Sequence, residues 1–361
     1  MLRDFHPLTI ADVKRQTSDA ISVTFAVPDA LREAFQFQPG QHLTLRTGFD
    51  GDDVRRNYSI CSGPGDPLRI AIKRLDGGFF SCWANETLRA GTAIDVMPPQ
   101  GRFVLPPGDG APRHIVAFAA GAGITPIFGM LKQALLQEPR TSFTLVYGNR
   151  TPDHILFREE LEDLKDKYIG RFTLLHVLSR NDESSTPLLE GRINAEKVKA
   201  LSERLFRPGE VAHVFLCGPG SMIKETRSTL FELGFARETV HHEFFAPGGG
   251  AFRKAPVTAG TATPAVKAEG TEVIAILDGI RHNFIVPPGG QVVDAALAAG
   301  IRVPYACKGG MCCTCRAKLV EGSAEMLVNY SLEPWELERG FILTCQAVPT
   351  SERLVLDYDQ M

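Results

Sequence analysis

Long apolar runs are missing from this sequence, in which no stretch approaches the ~18 residues that a membrane-spanning helix requires. The first residues also lack the basic segment, the apolar core and the small-residue cleavage site of a signal peptide. These absences predict a cytoplasmic protein with no membrane partner. Thiols stay reduced in the cytoplasm, so clustered cysteines would favour a metal site over disulfide bonds.

A strong excess of charge of either sign is also missing, since 39 Lys and Arg stand against 42 Asp and Glu. No basic run is dense enough to follow a phosphate backbone, and we therefore expect no nucleic-acid partner. The charge is nevertheless uneven, because residues 271–361 contain seven Lys and Arg against eleven Asp and Glu, a net charge of −4. An acidic C-terminal unit is predicted to follow a nearly neutral body.

The 361 residues are too many for one ordinary hydrophobic core, and the patterns along the chain divide it into several domains. Residues 1–105 contain short alternating strands broken by Gly, Pro and Asp, which predicts an antiparallel barrel. Residues 106–245 repeat apolar strand, turn and amphipathic helix, which predicts a doubly wound α/β domain. Residues 246–270 read as a flexible linker, and residues 271–361 predict a β-grasp domain. The expected fold class is multidomain β + α/β + α+β.

Cysteine is scarce, with eight residues in the chain, yet four of them lie within nine residues in "CKGGMCCTC". Cys307, Cys312 and Cys315 have the C-x4-C-x2-C spacing of plant-type [2Fe–2S] ligands, and Cys345 follows after a long gap. Cys313 cannot replace Cys312 without changing both spacings, so it is predicted to be a bystander. A zinc site or free buried thiols are the alternatives, although zinc usually takes two short C-x2–4-C pairs.

Two short segments of the predicted barrel are suited to a flavin. In "RNYS", Arg56, Tyr58 and Ser59 could supply a guanidinium for the pyrophosphate, a ring against the isoalloxazine and a hydroxyl near the reactive N5. In "GGFFS", glycines precede a helical segment whose first backbone amides could hold a phosphate. An ordinary strand and a capped helix are the structural alternatives. The residues of the second segment assigned to FAD are Gly78, Phe79, Phe80 and Ser81.

The segment "AGAGITPI" lies between an apolar strand and a helix, the context in which a glycine-rich turn binds a dinucleotide pyrophosphate. Gly121 and Gly123 are predicted to let the backbone approach the phosphates. Arg150, Ser179 and Arg180 follow the next two predicted strands and suit the 2′-phosphate of NADPH, whereas NADH would call for an acidic residue. The two arginines could instead be solvated loop cations.

The motifs "RNYS", "GAGITP" and "CGPGSMI", in this order, resemble those of the ferredoxin–NADP reductase superfamily. The resemblance implies FAD on the barrel and a nicotinamide nucleotide on the α/β domain, in contact with Thr125 of the second motif. It places Cys217 near the nicotinamide, although a buried strand cysteine is the alternative. Glu243 and Phe245 lie where an acid and an aromatic residue can cover the flavin in that superfamily. The residues that the resemblance implicates in catalysis are Ser59 and Cys217.

The whole chain, with its reductase part first and its ferredoxin part last, is similar to the reductase subunits of bacterial phenylacetyl-CoA epoxidases. The segments "YGNRT", "YACKGGMCCTC" and "NYSLEPWELERGFILTCQA" carry this likeness. It implies an NAD(P)H-dependent oxidoreductase with FAD, NADPH and a 2Fe-2S cluster. Its implied partner is the di-iron oxygenase of a multicomponent monooxygenase, which forms the ring epoxide of phenylacetyl-CoA. A reductase of another oxygenase that uses NADH or FMN, and a non-catalytic electron carrier, are the alternatives.

Overall fold

The computed structural model divides into two compact units, residues 1–248 and 249–361. The first unit contains both the barrel and the α/β part, and the second contains the cysteine-rich part. Among the residues that the structure describes, no helix is long and apolar enough to cross a membrane. The described residues are 4–49, 52–180, 186–245, 256–259 and 270–360.

The barrel is a six-stranded antiparallel sheet in the order β4-β3-β6-β1-β2-β5. Its strands alternate as expected, with Leu8 and Ile10 buried between exposed neighbours in the first of them. A single bridge between Ile60 and Ile70 joins the two outer strands and closes the barrel. Its elements are β1 (His6–Thr17), β2 (Ala20–Ala26), β3 (His42–Phe49), β4 (Asp52–Ser59), β5 (Arg69–Lys73), α1 (Phe79–Thr87) and β6 (Ala93–Gln100).

The α/β part is a five-stranded parallel sheet in the order β11-β10-β7-β8-β9. The chain runs outward from β7 through β8 and β9 and then returns to the other side of β7, which creates a switch point beside β10. Its strands are β7 (Arg113–Ala120), β8 (Thr141–Asn149), β9 (Phe172–Leu178), β10 (Val211–Gly218) and β11 (Val240–Phe244). Its helices are α2 (Ile124–Gln137), α3 (Arg158–Lys167), α4 (Ala195–Leu205) and α5 (Gly220–Glu232).

Ion pairs join the barrel to the α/β part within the first unit. Nη1 and Nη2 of Arg69, on β5, donate to the Glu160 carboxylate of α3, at 3.1 and 2.8 Å. Lys132 of α2 donates to Asp66 at 2.8 Å. Next to these pairs, a Cβ added to Gly129 would lie 2.7 Å from the carbonyl oxygen of Ser62. The two parts therefore pack at backbone contact, which holds the end of the barrel near the carboxyl edge of the parallel sheet.

The second unit is a seven-stranded sheet with the main order β12-β15-β18-β13-β14, and β16 and β17 also pair with β15. The hairpin between β13 and β14 turns at Asp278 and Gly279, which both have positive φ as a two-residue hairpin turn requires. Its strands are β12 (Pro256–Ala259), β13 (Thr271–Leu277), β14 (Ile280–Val286), β15 (Arg316–Met326), β16 (Phe341–Leu343), β17 (Ala347–Pro349) and β18 (Arg353–Asp357). Its helices are α6 (Val292–Ala298) and α7 (Pro334–Glu338).

The structure differs from the predicted linker, residues 246–270, at one place. Pro256–Ala259 form β12, which pairs antiparallel with β15 at the edge of the second sheet. The prediction missed this strand because pairing along a sheet edge uses backbone groups and needs no apolar periodicity. Gly270 is also described and forms a bridge, while the rest of the predicted linker lies outside the described residues.

Candidate functional site

Three side chains from separate strands meet where the barrel faces the parallel sheet. Ser59 ends β4, Cys217 lies near the end of β10, and Glu243 stands beside Cys217 in the pairing of β10 with β11. The Ser59 hydroxyl hydrogen-bonds the Glu243 carboxyl, whose Oε2 is buried without a partner among the described residues. Ser59 and Cys217 are themselves buried. The structure thus brings both predicted catalytic residues into one group through Glu243.

Burial keeps the ionisable members of this group neutral. It raises the pKa of Glu243 to about 8, against the opposing effect of the Ser59 hydrogen bond. Burial, and then the neighbouring Glu243 carboxyl, also raise the pKa of the Cys217 thiol. At neutral pH the carboxyl is therefore mostly protonated and the thiol is fully so. The group can hold a proton at Glu243 and exchange it through the Ser59 hydroxyl.

Arg56 and Tyr58 lie two residues apart on β4 and therefore on one face of the strand. Arg56 is exposed, and its Nη1 donates to the carbonyl oxygen of Arg55 at 2.7 Å. The half-buried Tyr58 ring lies 5.7 Å from the Phe80 ring of α1, and burial raises the pKa of its hydroxyl. The strand can therefore offer a cation and an aromatic face to the same ligand.

The turn before α1 leads into a set of backbone hydrogen-bond donors at the start of the helix. Gly78 caps the helix, so the amides of the next three residues have no acceptor within the helix itself. The Ser81 hydroxyl accepts from the Leu75 amide at 3.0 Å and donates to Gly78 O at 3.1 Å. This hydroxyl closes the turn, and the start of the helix directs backbone amides to where a phosphate could bind. An adjoining cavity of about 300 Å³ is lined by Gly77, Gly78, Phe79, Cys82, Trp83 and Glu86.

The glycine-rich turn after β7 is shaped by contacts within the protein. Gly121 has φ +53, and a side chain there would meet open space. A Cβ on Gly123, in contrast, would lie 2.1 Å from the carbonyl oxygen of Cys217. The second glycine is therefore required by close packing against β10, and its predicted approach to a phosphate stays a prediction. Thr125 is buried, and its hydroxyl donates to Ala122 O at 3.0 Å, inside the turn.

Arg150, Ser179 and Arg180 lie side by side at the carboxyl ends of β8 and β9. The Ser179 amide donates to Asn149 O at 2.9 Å, and the Arg180 amide donates to Arg150 O at 2.8 Å. All three predicted side chains are exposed. These backbone bonds extend the strand pairing, so two guanidinium groups and a hydroxyl can approach one anionic ligand from the same edge.

Phe245 directly follows β11 and stands two positions after Glu243. It is the last residue of the described range 186–245, and 40% of its surface is exposed. An exposed ring at this edge of the sheet is available to a planar ligand. Its predicted role, to cover a flavin, stays a prediction.

The four predicted ligand cysteines of the second unit form two pairs. Cys307 is hydrogen-bonded to Cys312, and Cys315 is hydrogen-bonded to Cys345. Among the described residues no three His, Cys, Asp or Glu side chains surround a single ion position. In a [2Fe–2S] cluster each iron takes two protein ligands, whereas a structural zinc takes four around one centre. The paired arrangement therefore fits the two-iron cluster.

In each pair the surroundings lower the pKa of one thiol and so favour its negatively charged thiolate form. The Cys312 thiol lowers the pKa of Cys307, and the backbone amides of Gly309 and Met311 act in the same direction. The Cys315 thiol likewise lowers the pKa of Cys345, with help from the Gly310 amide. Backbone donors directed at the sulfurs are what a thiolate-bound cluster needs.

Cys313 has a partner of its own. Its thiol donates to the Ser331 hydroxyl at 3.1 Å, and its side chain packs against the core of the second unit. Its backbone is left-handed, with φ +54, which is uncommon for a residue other than glycine. The second cysteine of the adjacent pair therefore points to the segment that contains Ser331.

Comparisons with known proteins agree with this arrangement. Three family models match the chain, an oxidoreductase FAD-binding domain at residues 7–105, an oxidoreductase NAD-binding domain at 118–228 and a 2Fe-2S iron–sulfur cluster binding domain at 275–350. The chain is 42% identical to a subunit of the 1,2-phenylacetyl-CoA epoxidase of Escherichia coli (strain K12) over 98% of both proteins. It belongs to the family of oxygenase reductase components.

Other members of the family match over a similar length. The ferredoxin reductase component of 3-ketosteroid-9-alpha-monooxygenase from Rhodococcus rhodochrous is 35% identical over 97% of this chain and 96% of the relative. Among solved structures, phthalate dioxygenase reductase has a TM-score of 0.60 at 24% identity and covers 98% of both chains, which shows the fold. The predicted fold class is confirmed.

As an oxygenase reductase component, the chain is an oxidoreductase with FAD-binding, NAD-binding and 2Fe-2S domains. It passes electrons from a nicotinamide nucleotide toward an oxygenase, which confirms the predicted activity at this level. The alternative of a non-catalytic carrier does not account for the assembled group of Ser59, Glu243 and Cys217.

Proposed function

We propose that this reductase component takes electrons from NADPH and delivers them to a di-iron oxygenase that epoxidises the ring of phenylacetyl-CoA. The observation that carries the proposal is the 42% identity to the epoxidase protein of Escherichia coli over 98% of both chains. The steroid monooxygenase reductase is less similar, at 35%. The di-iron character of the partner and the cytoplasmic location rest on the sequence-based expectations above.

NADPH is proposed over NADH because of the cations at the carboxyl edge of the parallel sheet. Arg150 and Arg180 would pair with the 2′-phosphate, and Ser179 would donate a hydrogen bond to it. Guanidinium groups pair favourably with a 2′-phosphate, whereas a carboxylate is the usual hydrogen-bond partner of a free ribose 2′-hydroxyl. Gly121, Gly123 and Thr125 would shape the turn that receives the pyrophosphate.

FAD is proposed to bind along β4 and the first turn of α1. Tyr58 would stack on the isoalloxazine and Arg56 would bind the pyrophosphate, while the Ser59 hydroxyl would donate toward N5. When bound, FAD supplies the conversion between hydride transfer and single-electron delivery. Phe245 would lie over the ring system. The phosphate donors would be the amides in the stretch formed by Gly78, Phe79, Phe80 and Ser81.

The cluster is proposed to be held by the two cysteine pairs, Cys307 with Cys312 and Cys315 with Cys345. The second pair is buried and the first is half-buried, so the side of the first pair is the one that approaches solvent. When bound, the cluster supplies one-electron transfer at a potential set by the groups around its sulfurs.

Proton handling is proposed for Glu243 and Ser59. The protonated Glu243 carboxyl, buried and hydrogen-bonded to Ser59, would give or take the proton that accompanies hydride chemistry. Cys217 would remain a neutral thiol, pack beside the nicotinamide and exclude water from it.

Anaerobic mixing of the purified protein with NADPH or with NADH tests the first half of the proposal. We expect NADPH to bleach the flavin and cluster absorbance with a kcat/KM at least tenfold higher than that of NADH. The second half is tested by adding the phenylacetyl-CoA oxygenase component, phenylacetyl-CoA and air. Epoxide formation supports the assignment of the partner. Bleaching without epoxide, together with turnover by a steroid oxygenase component, would overturn it.

A further inference from the structure

Gln346, the residue after the fourth cysteine, places a buried amide between two parts of the cysteine site. Its side chain is 5% exposed. Its Nε2 donates to the carbonyl oxygen of Lys308 at 2.7 Å and to the sulfur of Cys345 at 3.7 Å. Lys308 directly follows Cys307. A single amide therefore connects the loop that carries the first cysteine to the sulfur of the last.

The bond to Lys308 acts on a strained part of that loop. Lys308 has φ +49, the left-handed conformation that a residue with a Cβ rarely adopts. Two residues later, a Cβ on Gly310 would lie 3.2 Å from Cγ of Gln346, so the glutamine stem packs against the loop backbone. Gln346 thus meets the loop both through its stem and through its amide.

We propose that Gln346 is a positioning residue of the iron–sulfur site, which holds the Lys308 carbonyl and raises the reduction potential of the cluster through Cys345. This role rests on the cysteine ligands proposed above. A hydrogen bond to a ligand sulfur stabilises the more negative, reduced cluster, so the donor makes reduction easier. The bond to Lys308 keeps Cys307 oriented for ligation.

Gln291 provides a matched control on the same cysteine. In the amide orientation that satisfies both its oxygen and its nitrogen, Gln291 donates to the backbone carbonyl of Cys345 at 3.2 Å and to Asp294 at 3.1 Å. It is half-buried and reaches the backbone of Cys345, not its sulfur. A general loss of packing near Cys345 would affect both glutamines alike, whereas the proposal requires a difference between them.

The test compares the full-length variants Gln346→Met and Gln291→Met with the unsubstituted chain. Methionine keeps the length of glutamine and removes its donor. The reduction potential is read from the EPR signal of the reduced cluster during a redox titration, and cluster loss is followed by absorbance with an iron chelator. We expect Gln346→Met to have a more negative potential and to lose its cluster several-fold faster, while Gln291→Met stays close to the unsubstituted chain. Equal potentials in all three proteins would overturn the proposal.

Two further measurements separate a failure of the proposed ligand set from a failure of the role proposed for Gln346. Iron and acid-labile sulfide in the unsubstituted chain report on the ligand set itself, so a failure there would count against the proposed function and not only against Gln346. If Gln346→Met assembles no cluster, Gln346→Leu offers a shorter apolar side chain that also lacks the donor and adds no charge. A lower potential in Gln346→Leu supports the proposal, and an unchanged one contradicts it.

Discussion

The group around Glu243 in the first unit and the cysteine site of the second unit handle charge in opposite ways. In the first, burial raises the pKa of Glu243 and of Cys217, so both side chains stay protonated. In the second, thiol partners and backbone amides lower the pKa of Cys307 and Cys345. A site that moves a hydride and a proton benefits from neutral groups, whereas a site that binds iron needs thiolates.

The two sites also differ in how the chain builds them. Ser59, Cys217 and Glu243 come from β4, β10 and β11; strand pairing places Cys217 beside Glu243, and the packing of barrel against sheet adds Ser59. Three of the four cysteines, in contrast, lie within one nine-residue loop. Removing one ligand should therefore damage the second site locally, while the first site is sensitive to any change in how its strands meet.

The largest expected effect separates the two sites completely. Cys345→Ser should abolish NADPH-dependent reduction of cytochrome c and leave NADPH-dependent reduction of a small dye, because hydride chemistry does not require the cluster. Both activities are measured in steady state on the purified variant. Cys313→Ser is the control, since serine can keep the hydrogen bond to Ser331, and both activities should survive there. Normal cytochrome reduction by Cys345→Ser would refute electron transfer from the flavin through the cluster of the same chain.

The next effect tests the close packing of the first site. Gly123→Ala would place its Cβ 2.1 Å from the Cys217 carbonyl oxygen, so the turn must move. We expect it to lower kcat/KM for NADPH at least tenfold and stability by about 1–3 kcal/mol, the usual cost of overpacking. Gly121→Ala, whose Cβ meets open space, should suffer only the cost of its left-handed backbone, about 1–2 kcal/mol. A larger effect of Gly121→Ala on kcat/KM would contradict this account.

A more selective effect is expected at the nucleotide edge. Arg180→Ala should lower kcat/KM for NADPH by about tenfold, since a charged hydrogen bond to phosphate is worth about 1.5–3 kcal/mol. The kcat/KM for NADH should change little. Arg158→Ala removes an exposed arginine of α3 that pairs with Glu162, and it should leave the NADPH to NADH ratio unchanged. If Arg180→Ala lowered kcat/KM equally for both nucleotides, Arg180 would not bind the 2′-phosphate.

The smallest expected effect concerns pH and the buried carboxyl. The pKa of Glu243 in the folded protein, about 8, lies above its ordinary value of 4.5, so the folded state holds the proton more tightly. Stability from this proton is present below the ordinary pKa and is lost as pH rises toward 8. Glu243→Gln should therefore lose less thermal stability than the unsubstituted chain between about pH 5 and pH 8. Melting curves of the flavin-free proteins measure this, and parallel pH profiles would argue against a buried proton at Glu243.

Much of the architecture was predictable because its signals are local. Alternating apolar residues predicted the barrel strands, and the glycine turn after an apolar strand predicted the parallel sheet. The edge strand Pro256–Ala259 was missed, because its pairing with β15 uses backbone groups that leave no pattern of side chains. The close packing of Gly123 against Cys217 could not be predicted either, since Cys217 lies far away in the chain.

The sequence by itself determined the three kinds of domain and their order, and it predicted the four ligand cysteines, because periodicity and spacing are properties of neighbouring residues. Only the tertiary structure decided that Glu243 would bridge Ser59 and stand beside Cys217, and that the cysteines would form two pairs. It also placed Gln346 between Lys308 and Cys345. Burial and hydrogen bonding between distant segments set the charge of these groups, and both depend on which surfaces the folded chain brings into contact.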